Sequence, residues 1–81
     1  MEPPPELRAA ADDRPDVTIA IREYDDETVV SVDFGPVTGE PTLDFVDDTA
    51  IVVADGTHLE FDVPPEATAV TVNDGILTVR G

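Results

Sequence analysis

The stretch Val17-Thr18-Ile19-Ala20-Ile21-Arg22-Glu23-Tyr24-Asp25-Asp26-Glu27-Thr28-Val29-Val30-Ser31-Val32-Asp33-Phe34 decides the fold. Folding it back at Asp25-Asp26 puts Ile21 opposite Val30, Ile19 opposite Val32 and Val17 opposite Phe34. The intervening pairs, Ala20 with Ser31 and Arg22 with Val29, then fall on the other side. One apolar and one mixed face is the pattern of a half-buried antiparallel hairpin, in which directly opposed side chains interact. A one-residue slip would turn every apolar side chain to the wrong face, so the register is well specified.

The same folding-back works downstream. Strands over Thr42–Val46, Thr49–Ala54 and Thr57–Val63, with loops at Asp47-Asp48 and Asp55-Gly56, pair Phe45 with Ala50 and Leu43 with Val52. They also pair Val52 with Leu59 and Ala50 with Phe61, all on one face of a three-stranded meander. A last hairpin, Thr68–Asn73 with Ile76–Arg80, pairs Val72 with Leu77 and Val70 with Val79 around Asp74-Gly75. Asp-Gly suits the type I′ turn, whose two central residues both need positive φ. Seven strands with one apolar face each cannot bury those faces in a single flat sheet, whereas two sheets packed face to face can. Proline cannot continue a ladder, so Pro64-Pro65 is the expected crossing between sheets, and Gly35-Pro36 to Pro41 is a second breaker. The expected fold is all-β, a compact antiparallel β-sandwich of about seven strands over residues 16–81.

Residues 1–15 carry no sustained period and read as a flexible acidic tail. Glu6 to Ala11 could form a turn or two of helix, too short to be stable in isolation.

Charge is the other informative feature. The chain has 81 residues, 19 of them acidic against four basic, for a net charge of −15. All four basic residues are arginines: Arg8, Arg14, Arg22 and Arg80. Such a balance ordinarily implies disorder, but a 41% hydrophobic content is enough to build a core. Salt reconciles the two, because the Debye length falls to about 3 Å in molar salt. The surface implies a cytoplasmic protein of a salt-accumulating cell, and it excludes nucleic-acid binding, which needs a Lys/Arg footprint on phosphates. The N-terminus lacks the basic and apolar regions of a signal peptide, and no run is long enough to span a membrane.

No chemistry-bearing constellation appears. Cysteine is absent, and the single histidine, His58, has no partner set for zinc or for a triad, so it reads as a surface residue. Asp12-Asp13, Asp25-Asp26-Glu27 and Asp47-Asp48 do not match the spacing of a calcium loop and read as solvated turns. Gly35, Gly39, Gly56 and Gly75 all fall at expected turns and form no phosphate-binding pattern. No catalytic, cofactor or metal residues are therefore expected. One feature points to a partner: Ile51 and Val53 face away from Leu43, Phe45 and Phe61, beside His58 and Glu60. These four residues form the candidate interaction surface, which a crossing segment or the N-terminal tail could instead cover.

The C-terminal half, Phe61-Asp62-Val63-Pro64-Pro65, then Ala67 to Val72, then Asn73-Asp74-Gly75-Ile76-Leu77-Thr78-Val79, resembles the alpha-crystallin domain of the small heat-shock proteins. Thr28 to Val37 is similar to the strand and loop where that family carries Leu-Pro-Gly-Val. The resemblance implies a chaperone-like, non-enzymatic domain that holds other proteins, as clients or by self-association. The bare Asp55-Gly56 turn stands where that family has its dimerisation loop, and the chain ends at Gly81 without the family's tail. Those departures imply a monomer or weak dimer resembling the CS-type co-chaperone domains. They also leave open an orphan structural or adaptor domain without holdase activity.

Overall fold

A computed structural model of the chain describes residues 1–35, 40–54 and 56–81. Among these residues is one helix, α1 (Pro5–Asp13), followed by β1 (Thr18–Glu23), β2 (Thr28–Asp33), β3 (Thr42–Val46), β4 (Thr49–Ala54), β5 (Thr57–Asp62), β6 (Ala69–Asn73) and β7 (Ile76–Arg80). The strands form two antiparallel sheets, a four-stranded one in the order β1-β2-β7-β6 and a three-stranded one in the order β3-β4-β5. This is the expected all-β sandwich. Every hairpin takes the register that its apolar residues demand: Ile21 pairs with Val30, Phe45 with Ala50, Val52 with Leu59 and Val72 with Leu77.

The core lies between the sheets. Val30, Val32, Leu77 and Val79 from one sheet meet Ala50, Val52, Leu59 and Phe61 from the other, all buried. Strand β5 ends in one sheet and β6 begins in the other, so the chain crosses at Pro64-Pro65, as the missing proline donors require. The middle of the Gly35–Pro41 breaker, with Gly39, lies outside the described residues, and so does Asp55 of the Asp55-Gly56 turn. Asp74 and Gly75 both take positive φ, 54° and 77°, as a type I′ turn requires.

The N-terminal region departs from the expectation. Instead of a free tail over residues 1–15, Pro5–Asp13 is helical and packs against β5 and β1, closing one open side of the sandwich. Pro5 sits at the first helical position, where its missing N–H costs no hydrogen bond. Leu7 is fully buried in the core, and Ala10 and Ala11 pack against it. A helix of nine residues is marginal alone, and burying one leucine contributes about 1.5–3 kcal/mol, which docks it.

Candidate interaction surface

Alternation along β4 fixes the outer face of the three-stranded sheet. Ala50, Val52 and Ala54 are buried, so Ile51 and Val53 must point the other way. Their cross-strand partners are Glu60 and His58 on one side and Asp44 and Thr42 on the other. The structure thus brings Ile51, Val53, His58 and Glu60 together on one surface. Val53 is 43% exposed, whereas Ile51, flanked on both sides, is half-buried. Helix α1 packs at the β5 and β1 side of the sandwich, and no described element lies across this face.

His58 Nε2 stands 3.5 Å from Glu60 Oε2, and both side chains are more than half exposed. On the same outer face, Thr49 Oγ1 donates to Asp62 Oδ1 at 3.3 Å. Asp44, Glu60 and Asp62 therefore rim the aliphatic pair with carboxylates. The arginines all lie elsewhere: Arg8 on α1, Arg14 beyond it, Arg22 on β1 and Arg80 on β7. Among the described residues the three-stranded sheet carries acid and one histidine, with no permanent cation.

The same half of the sheet exposes two residues that the sequence pattern did not single out. Phe45 is on the core face, as its pairing requires, yet it is 50% exposed, and Val46 beside it is 55% exposed. Strand β3 is a sheet edge, on the side of the sandwich away from α1, so the core does not close over Phe45. A readable signal existed: two adjacent apolar residues in an alternating strand cannot both face inward. Val46 is the outward one, and it extends the aliphatic stripe of Ile51 and Val53.

A groove of about 620 Å³ runs between the end of α1 and the start of β5, lined in part by Glu6, Asp13, Arg14, Phe34 and His58. It brings His58 toward carboxylates but adds no cysteine, and among the described residues no group of three His, Cys, Asp or Glu side chains could hold a metal ion. Likewise, no helix among the described residues is long and apolar enough to cross a membrane.

The whole chain, residues 1–81, matches the model of a family of unknown function, DUF7127, and the chain belongs to that family. No curated protein and no solved structure matches it. The family assignment overturns the resemblance to the small heat-shock proteins, because it covers every segment on which that resemblance rested. Those segments have a local physical explanation. Gly75 supplies a positive φ in the turn, Leu77 and Val79 alternate into the core, and Pro64 marks the crossing.

Proposed function

We propose that this domain is a protein-interaction module that works by apolar and strand-edge contact, without chemistry of its own, in the cytoplasm of a salt-accumulating cell. The observation that supports the reading is the placement of exposed apolar side chains. Of the four large hydrophobic residues exposed among the described ones, Tyr24, Phe45, Val46 and Val53, two, Val46 and Val53, share the outer face of β3 and β4 with half-buried Ile51, and Phe45 is exposed at the same sheet edge on the opposite face. In a chain with a net charge of −15, a clustered aliphatic patch is a feature that solubility alone does not favour. The carboxylate rim of Asp44, Glu60 and Asp62 favours a partner with an apolar centre and basic residues around it. Molar salt screens the rim and leaves the apolar centre as the main source of affinity.

Affinity capture in molar salt, with the wild type beside Ile51→Asp and Val53→Asp, tests the reading. Both variants should keep the wild-type circular-dichroism spectrum and lose a protein that the wild type retains. If folded variants retain every protein that the wild type does, the surface is not the interaction site. Suppression of a heat-labile enzyme's aggregation in the same salt separates general client holding from adaptor binding, since an adaptor with one fixed partner should show none.

A further inference from the structure

Among the described residues the sandwich has four edge strands, and three of them carry charge. Strand β1 bears Arg22 and Glu23, and β3 bears Asp44. Strand β5 bears Glu60 and Asp62 and lies under α1, with the Glu6 carboxylate on its Asp62 N–H. Charges and covering elements are how proteins keep an unpaired strand from pairing with another chain. Strand β6, Ala69-Val70-Thr71-Val72-Asn73, is an edge without a charge; β3 of the facing sheet packs near it, and no strand among the described residues is hydrogen-bonded to its outer side. In this chain that is an exception, because 28% of its residues are charged.

The hydrogen-bonding phase of β6 is fixed by its turn. The type I′ turn at Asp74-Gly75 is closed by the hydrogen-bonded pair Asn73 and Ile76, and bonded pairs alternate along an antiparallel ladder. Thr71 and Thr78 are therefore the next bonded pair, and Val70 and Val72 direct their N–H and C=O groups away from β7, toward the free edge. Among the described residues no backbone group outside the strand pairs bonds to either.

We propose that β6 is a self-association edge, on which a second copy of this chain pairs antiparallel through its own β6, about a two-fold axis at Thr71. In this register Val70 lies opposite Val72 of the second copy, and Val72 opposite its Val70. The free-edge groups then exchange four hydrogen bonds, and the two four-stranded sheets become one. Val70 and Val72, both partly buried against the core, extend the inner apolar face across the junction. Thr71, exposed on the outer face, meets its own copy in a favourable Thr–Thr pair. The absence of charge identifies the occupant: two molecules of −15 each can approach most closely where neither presents a carboxylate. Five residues per copy make a small interface and hence a weak dimer, strengthened by salt that screens the remaining repulsion. This edge belongs to the other sheet from the partner surface proposed above, so either proposal can fail without the other.

The chain has no cysteine, which makes cross-linking a clean test on the full protein. In molar salt, Thr71→Cys should form a disulfide dimer under mild oxidation many times faster than Thr78→Cys, which sits one strand inward on the same face. Sedimentation should show concentration-dependent dimerisation of the wild type. Val70→Pro removes two of the four bonds without touching the β6–β7 ladder, and Thr71→Glu opposes two carboxylates at the axis. Each should shift the population to monomer with an unchanged circular-dichroism spectrum, and Thr71→Glu serves if Val70→Pro does not fold. A wild type that stays monomeric at every concentration in molar salt overturns the proposal, as does equal cross-linking of Thr71→Cys and Thr78→Cys.

Discussion

The Glu6 carboxylate accepts a hydrogen bond from the backbone N–H of Asp62 at 2.9 Å, across 56 residues of sequence. Asp62 closes β5, and its N–H faces away from β4, so Glu6 occupies the place that a further strand would take. The helix thus covers the edge of a sheet with a side chain, while Leu7, the next residue, anchors it in the core.

Those neighbouring residues should differ sharply on substitution. Leu7→Ala empties a fully buried site and is expected to cost about 2–5 kcal/mol, a large share of what a domain of this size holds. Glu6→Ala frees an exposed N–H that water can satisfy and should cost about 1 kcal/mol or less. Denaturant titration in molar salt measures both. Equal losses would mean that the hydrogen bond, not the leucine, docks the helix.

Two glycines give a second contrast. Gly35 and Gly56 both have positive φ, 74° and 83°, so alanine is strained at either. A Cβ at Gly35 would stand 3.0 Å from the Asp16 carbonyl oxygen, whereas one at Gly56 meets nothing within 4 Å. Gly56→Ala should cost about 1–2 kcal/mol from backbone conformation alone. Gly35→Ala should cost more, since backbone must also shift. Thermal melts of the two variants decide the order, and a milder Gly35→Ala would contradict the close approach to Asp16.

What the sequence made legible was periodic. Ile19, Ile21, Val30 and Val32 fix a hairpin because a period of two leaves one acceptable register, and Asp74-Gly75 fixes a turn through its φ angles. A turn or two of helix was legible over Glu6 to Ala11, but its docking was not, because that rests on one leucine whose slot between β1 and β5 exists only after the sheets have packed. Exposure of Phe45 was hidden for a similar reason: alternation assigns a residue to a face but does not say how far the opposite sheet reaches over it. The outward direction of Ile51 and Val53 followed from alternation alone, while a partner for them is not a property that periodicity encodes.

The His58–Glu60 pair should contribute almost nothing to stability. At 3.5 Å with both side chains more than half in solvent, such a pair gains little in water and is screened further by salt. His58→Ala is expected to change stability by less than about 0.5 kcal/mol. A larger loss on denaturant titration would place His58 in a structural role that its exposure does not indicate.

Salt should decide whether the domain folds at all. Asp33 beside buried Val32 and Phe34, Asp62 beside buried Phe61 and Asp44 beside half-buried Leu43 are all exposed, so these carboxylates coat the exterior of the sandwich and do not form a buried cluster. With 19 acids and four arginines on so small a body, folding gathers like charges that the extended chain keeps apart. The only arginine ion pairs among the described residues, Arg14 with Asp16 and Arg80 with Glu27, are about half exposed and offset little of that repulsion. Lowering ionic strength from molar to about 0.01 M lengthens the screening distance from about 3 Å to about 30 Å, beyond the spacing of neighbouring carboxylates. The β-sheet signal in circular dichroism should fall as salt is withdrawn and return when it is restored. Non-coordinating monovalent salts should be effective, since screening needs no specific site. A spectrum unchanged between molar and millimolar salt would show that the core outweighs the full unscreened repulsion, and the acidic surface would then need an explanation other than salt.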